Sequence, residues 1–414
     1  MNIAQKRFFA LLNYAPHEGS LHLPCSSEEQ IWSDQDWDAI AAEARRFGLS
    51  PLLHHRIKLR RPDINIPPQV GGKLRNDYLR SAAINMRRFQ ALTRALEALK
   101  AAGVSTIALK GAYLAEAVYG NLALRPMSDV DILVHREDLG RADAALSTAG
   151  FTALEFHISP PEDDNEFHYQ NVAAKTLIEV HWEMTKPDYP FRLDVALLWE
   201  AAVPARIAGV NVLALSPEDL LIHIGLHAAI HRFAHGPRPL CDLAEAVSRL
   251  TVNWDLLGER ARNAGVGRSI RLLLALTAEL LRAAIPENGL NGIDSSPLPA
   301  ELWEEAKEAV FKGESDRSVG AMPHPNLVLF MGRKRWRDKL ALVARRIFPS
   351  RQSIAARYPV RADSFRVFFF YPASFWVLFR NNAPALRTLF VGRRRRSPID
   401  KKAAALMDWM LSRG

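Results

Sequence analysis

At 414 residues the chain exceeds one average domain and points to two or three; with 48% apolar and 24% charged residues it has the balance of a globular chain, which excludes a disordered or fibrous one. Its two cysteines, Cys25 and Cys241, exclude a disulfide framework and a four-thiolate zinc site, so a reducing cytoplasm is the expected compartment. The net charge of +9 belongs to the end of the chain: residues 331–414 hold 20 Lys/Arg against 4 Asp/Glu, which leaves residues 1–330 at −7, so the basicity says nothing about chemistry in the body.

The opening MNIAQKRFFALLNYAPHEGS has a short apolar run broken by Asn13 and Pro16, without a signal peptide's apolar region and cleavage site, so export is not expected. Trp37, Ile40, Ala41, Ala44 and Phe47 recur at helical spacing within residues 35–60, where Gly48 and Pro51 are stop signals. A long helix is predicted over 70–102, with Leu74, Tyr78, Leu79, Ile84, Phe89, Leu92, Leu96 and Leu99 as its buried stripe. The pattern then turns to a β-branched run at 104–109, a helix over 112–118, a strand over 130–134 and a helix over 136–149 that stops at Gly150. Two further strands are predicted around 151–158 and 176–182, separated by an acidic turn at 160–166, with 169–173 as the candidate second arm of a hairpin. Helices follow from Ser216, an N-cap with Pro217 at the first helical position, to about residue 311. Within them 272–285 reads as a core helix, and 313–325 beyond them as a linker.

The chemistry concentrates in two of these strands. In an extended strand residues two apart point the same way, so Asp129 and Asp131 should present both carboxylates on one face while Val130 and Ile132 face the core. Like charges so close call for a divalent cation, and Mg2+ suits because it shares its shell between a few carboxylates, water and substrate phosphates. Glu179 interrupts the apolar side of the strand at 176–182, where a neighbouring strand would bring it beside the aspartates. Three such carboxylates are the machinery of nucleotidyl transfer.

The string Leu109-Lys110-Gly111, then Arg125-Pro126-Met127-Ser128-Asp129-Val130-Asp131-Ile132-Leu133-Val134, a helix ending in Ala149-Gly150-Phe151, and Ile178-Glu179-Val180-His181-Trp182 resembles the bacterial nucleotidyltransferase family 5 of the polymerase-beta-like superfamily. The similarity extends through LSPEDLLIHIGLHAAIHRF and LCDLAEAV, covers roughly residues 35 to 280, and fades beyond about 320. What the resemblance implies is an α/β (α+β) fold, a mixed sheet flanked by helices with an additional helical domain. The implied division is an N-terminal helical segment 1–69, a catalytic domain 70–210, a helical domain 211–320 and a basic, aromatic region 321–414.

The implied reaction moves a nucleoside monophosphate from an NTP, ATP being the first candidate, to a hydroxyl of an unidentified acceptor, with release of pyrophosphate. Mg2+ or Mn2+ is the implied cofactor, held by Asp129 and Asp131, with Glu179 as third ligand or as base. Lys110, Gly111, Arg125 and Ser128 would bind the nucleotide, although Lys110-Gly111-Ala112 stands where that superfamily has a Gly-Ser or Gly-Gly turn. Arg125 is suited to a phosphate clamp because guanidinium engages phosphate bidentately. The alternative is a catalytically inactive nucleotide-binding protein or a membrane-surface accessory protein in a biosynthetic pathway. No obligate protein partner is indicated.

His223, His227, His231 and His235 recur every four residues. On a continuous helix that spacing drifts by about 40° per step, so the four cannot share one ion, and without an H-E-x-x-H motif a zinc site is not expected. Instead His181, His227 and Asp242 are candidates for the acceptor cleft, with a direct His227–Asp242 hydrogen bond as the plainer reading. No Walker A or post-strand G-x-G-x-x-G motif is present, and Ser, His and Asp are scattered, which leaves P-loop, Rossmann and triad-hydrolase chemistry without support.

The tail combines Arg/Lys clusters at 333–339, 345–346 and 393–396 with the aromatic run VFFFYPASFWVLF. Its 13 residues from Val367 to Phe379 fall short of the ~18 to 20 a spanning helix needs. Three readings stand: packing on the body, a peripheral contact of 331–414 with the inner face of the membrane, and, ranked last, nucleic-acid binding.

Overall fold

Three helices precede a long fourth: α1 (Ile3–Leu12), α2 (Asp34–Arg46), α3 (Ser50–Arg60) and α4 (Pro68–Ala101). The computed structural model describes residues 1–14, 32–60, 64–154, 164–187, 189, 191–231, 233–311, 337, 344, 347–377, 379–380 and 398–411. Ser33 and Asp36 close a reciprocal capping box at the start of α2, and Gly48, at φ +66, takes the left-handed conformation that separates α2 from α3. The buried line of α4 runs through Leu74, Ser81, Asn85, Phe89, Leu92, Leu96 and Leu99. It leaves Leu79 exposed and Ile84 half-buried, because the polar Ser81 and Asn85 occupy the turns that an apolar pattern assigns to those two.

The sheet follows. β1 (Ile107–Ala108) leads straight into α5 (Lys110–Tyr113) and a π-helical turn (Leu114–Val118), and then come β2 (Val130–Leu133), α6 (Leu139–Thr148), β3 (Thr152–Ala153), β4 (Glu166–Asn171) and β5 (Thr176–His181). A short α7 (Val195–Glu200) precedes β6 (Val203–Ile207) and β7 (Val210–Ala214). The seven strands lie in the order β3-β4-β5-β2-β1-β7-β6, with β2–β5 and β1–β7 parallel and the other pairs antiparallel. This is the mixed sheet flanked by helices that the resemblance implies.

Two strand assignments differ from the sequence reading. The hairpin arm before β5 is 166–171 rather than 169–173, so Glu166 is a strand residue and not the end of a turn; residues 155–163 lie outside the described residues. The β6–β7 hairpin was not anticipated. Its two-residue turn, Ala208 at φ 52 and Gly209 at φ 78, holds both central residues in the left-handed region that matches the twist of paired strands.

Helices α8 (Pro217–Ile230), α9 (Arg238–Arg249), α10 (Trp254–Asn263), α11 (Gly267–Leu281), α12 (Glu287–Ile293) and α13 (Ala300–Ala309) complete the body. Ser216 caps α8 as expected, its Oγ accepting from the Asp219 amide at 3.2 Å. The core helix expected at 272–285 is α11, which ends at Leu281 where Arg282 turns left-handed. One apolar cluster joins α1–α3 to α8–α13, and a second lies beneath the sheet, where Leu92, Leu96 and Leu146 meet Ile132, Ile178 and Val180.

Beyond these, α14 (Arg351–Arg357) and a 3-10 turn (Phe365–Phe370) build a small cluster around Ile354, Val360 and Val367. α15 (Pro398–Leu411) returns to the body, burying Leu406, Met407 and Met410 in the large cluster, with Ser269 Oγ donating to the Met410 carbonyl at 2.7 Å. Phe368, Phe369, Phe375, Trp376 and Phe379 are exposed, so these aromatics do not pack on the body. The 313–325 linker and, Arg337 apart, the basic clusters at 333–339, 345–346 and 393–396 lie outside the described residues, as does Cys25. Among the described residues no helix is long and apolar enough to cross a membrane.

Candidate active site

The parallel pairing of β2 with β5 sets Asp131 opposite Glu179. Asp131 is 3% exposed between the buried Val130 and Ile132, and Glu179 is half-buried. α5 begins immediately after β1, which puts Lys110 Nζ 3.2 Å from Asp131 Oδ1. At the end of β5, His181 reaches both carboxylates, its Nε2 lying 3.5 Å from Asp131 Oδ1 and 3.8 Å from Glu179 Oε2.

The antiparallel partner β4 adds two residues that sequence reasoning missed. Glu166 pairs with His181 across the ladder, Oε2 to Nδ1 3.0 Å, and His168 pairs with Glu179, Nε2 to Oε1 3.7 Å. The signal was the alternation Glu166-Phe167-His168-Tyr169, with Phe167 and Tyr169 buried in the core and the two polar residues on the other face.

Electrostatics separates the two central carboxylates. Burial opposes ionisation of Asp131, but Lys110 and the nearby His181 outweigh it and hold the carboxyl well below its usual range. Glu179 is pushed up to about 7, first by burial and then by the charges of Asp131, Asp129 and Glu166. Burial disfavours a charged His181, yet Asp131 and Glu166 raise it above the ordinary imidazole value.

The loop before β2 is pinned from α4. Asn85 Nδ2 donates to the carbonyls of Leu122 at 2.6 Å and Arg125 at 2.9 Å, and Arg88 donates to that of Met127. Arg125 and Asp242, expected at the phosphates and in the acceptor cleft, are buried partners of each other: Nε and Nη2 each donate at 3.0 Å, one to each carboxylate oxygen. Tyr119 donates a third bond to Asp242 Oδ1 at 3.0 Å, so the carboxylate is held by Arg125 and Tyr119. Asp129 stands just ahead of β2 rather than in it. Ser128, exposed, donates to Asp129 Oδ2 at 2.9 Å.

All ten candidate residues, Lys110, Gly111, Arg125, Ser128, Asp129, Asp131, Glu179, His181, His227 and Asp242, line one cavity of about 360 Å³, within the size range of small-ligand sites. The ligand atoms of Asp131, Glu179 and His181 lie within 4.8 Å of one another, as do those of Glu166, His168 and Glu179; Asp129 lines the cavity outside these close groups. A divalent ion fits here. Burial and then the clustered carboxylates push Glu179 up, and the buried His181 Nε2 has no hydrogen-bond partner. Gly111 leaves room beside this group, since a Cβ there would sit 3.5 Å from Asp131 Oδ2.

The helical side of the cavity carries the histidines. α8 ends at Ile230, and His227, His231 and His235 gather with ring centroids 4.3 to 5.2 Å apart, while His223 stays buried one turn earlier with Nε2 unpartnered. Burial, then Lys110, holds His227 well below the ordinary value; burial, then Arg238, takes His235 down to about 4.

The model of a family described as uncharacterised nucleotidyltransferase matches residues 33–282. A comparison with curated proteins finds no match. Among solved structures the chain is similar to the solution structure of the antibiotic-resistance factor ANT(2'')-Ia, at 15% identity and a TM-score of 0.32, over 47% of this chain and 93% of that one.

Proposed function

The chain belongs to the uncharacterised nucleotidyltransferase family, and from that membership we propose that it transfers a nucleoside monophosphate from an NTP, ATP first among them, to a hydroxyl acceptor. The observation that carries this reading is the Asp131–Glu179 pair, adjacent in register and displaced in opposite directions. Such divergence separates an always-ionised ligand from a base poised near neutrality. Asp131, joined by Asp129 from the preceding loop, would hold Mg2+ or Mn2+, which supplies neutralisation of triphosphate charge and polarisation of the reacting phosphorus.

This chain's own groups do the rest. Lys110 and the amide at Gly111 engage the phosphates, and Ser128 fixes the Asp129 carboxylate. Glu179 accepts the proton of the acceptor hydroxyl as its oxygen forms a bond to the α-phosphorus and the bond to pyrophosphate breaks. His181, between Asp131 and Glu166, keeps both carboxylates in place. Arg125 acts one step back, tying the loop to α9 through Asp242.

The test is pyrophosphate release from ATP by the full chain with Mg2+ and a panel of hydroxylated acceptors: sugars, aminoglycosides, proteins and nucleic acid. Release by the wild type and its loss in Glu179→Gln supports the reading; release unaffected in that variant overturns the assignment of the base.

A second reading concerns placement. Phe365, Phe368, Phe369, Phe375, Trp376 and Phe379 are exposed within 15 residues, and Arg351, Arg361, Arg366 and Arg380 lie in and around that stretch. Exposed aromatics beside arginines suit the headgroup layer of an anionic membrane. On this reading a cytoplasmic enzyme works at the inner membrane face.

A further inference from the structure

The three histidines on the α8 side of the cavity are not explained by nucleotidyl transfer. On a continuous helix His235 would lie two turns beyond His227. Instead the chain leaves the helix at Ile230, Phe233 takes φ +57 with its ring buried, and Gly236 follows at φ +62. Hydrogen bonds donated by the Phe233 amide to the Ala228 carbonyl at 3.0 Å and by the Gly236 amide to the Phe233 carbonyl at 2.9 Å close this reversal. A bulky residue in the left-handed region costs about 1–2 kcal/mol, offset here by burial of Phe233. The outcome is that His235 folds back beside His227 and His231, and the ligand nitrogens of all three lie within 4.8 Å of one another.

We propose that His227, His231 and His235 form a second metal site, for a Zn2+-class ion, with its remaining coordination position open to the cavity. The donor set decides the ion: three imidazoles and no carboxylate favour Zn2+ and its neighbours over Mg2+, whereas the Asp131 group favours the harder ion. Tetrahedral Zn2+ with bonds of about 2.0–2.1 Å sets its nitrogens about 3.3 Å apart. Small rotations of His231 and His235, both exposed, can bring that about. The surroundings admit a cation, since five carboxylates and four Lys/Arg side chains line the cavity. Three protein ligands and an open fourth position are the arrangement of catalytic rather than structural zinc sites, so water or an oxygen of the acceptor would complete the shell. The inference does not depend on nucleotidyl transfer.

The test uses the full chain, stripped with chelator and titrated with Co2+ as a spectroscopic probe. The site predicts one equivalent with the intense visible bands of a low-coordinate, nitrogen-ligated ion, displaced by Zn2+ and unaffected by excess Mg2+. His231→Ala and His235→Asn, substitutions at exposed side chains, should each weaken binding about 100-fold or more, with an unchanged circular dichroism spectrum. Asp131→Asn/Glu179→Gln should retain the bands. Absence of the bands, their survival in both histidine variants, or their loss in the carboxylate double variant would overturn the proposal.

Discussion

Asp131 and Glu179 lie one strand apart, yet their neighbourhoods move their acidities in opposite directions, and this has a consequence for stability. Asp131, depressed below 3.8, contributes stability that is present above that value and lost as pH falls through its folded value. Glu179, raised from 4.5 to about 7, contributes stability present below 4.5 and lost as pH rises through about 7. Without divalent ions, Glu179→Gln should therefore stabilise the protein at pH 8 by about 1–2 kcal/mol, a figure discounted for partial solvation, and barely change it at pH 5. Urea denaturation at the two pH values reads this directly; equal stability of variant and wild type at pH 8 would refute the burial-driven displacement. The buried Arg125–Asp242 pair behaves differently. Removing either partner strands the other charge and should cost about 3–5 kcal/mol, whereas Arg125→Met/Asp242→Leu should cost less than either single alanine variant. Thermal unfolding of the four proteins checks it.

Among the elements, the reversal after α8 depends on Gly236. Its φ of +62 suits glycine, and a Cβ there would fall 2.1 Å from the Phe47 ring. Gly236→Ala should lower stability by roughly 2 kcal/mol or more and displace His235, measurable as a fall in Tm together with weaker Co2+ binding. The same turn shows where sequence reasoning stops. Spacing of four predicted drift around a helix, which holds for His223 and fails for His235 because the helix ends between them. β2 and β5 were legible because an acidic residue interrupts an apolar alternation in each. Their adjacency was only an expectation until the ladder placed Asp131 opposite Glu179. β4 was legible only in its second half, where a proline-containing acidic stretch no longer masks the alternation. The β6–β7 hairpin was lost because Pro204 and Arg206 break an otherwise apolar run and its turn carries a non-glycine at positive φ. The Arg125–Asp242 bond spans 117 residues, and no local pattern announces it.

For the whole molecule, charge and shape divide the labour. A body of net charge −7 holds the cavity, and the basic end of the chain returns to it through α15 while exposing its aromatic segment. If that segment meets a membrane, the full chain should co-sediment with phosphatidylglycerol vesicles and not with phosphatidylcholine ones. Phe368→Ser/Phe369→Ser/Trp376→Ser should then reduce binding by about tenfold or more; equal sedimentation of variant and wild type would count against the membrane reading. The central claim is that one cavity, built where β2 and β5 run parallel, binds an NTP through a divalent ion held by its carboxylates. The most direct measurement is equilibrium binding of labelled ATP to the purified full chain with and without Mg2+, wild type beside Asp129→Asn/Asp131→Asn. Saturable binding that requires Mg2+ and disappears in the double variant is the predicted result. Binding indifferent to Mg2+ and to both substitutions, or no NTP binding by the wild type at all, would contradict it.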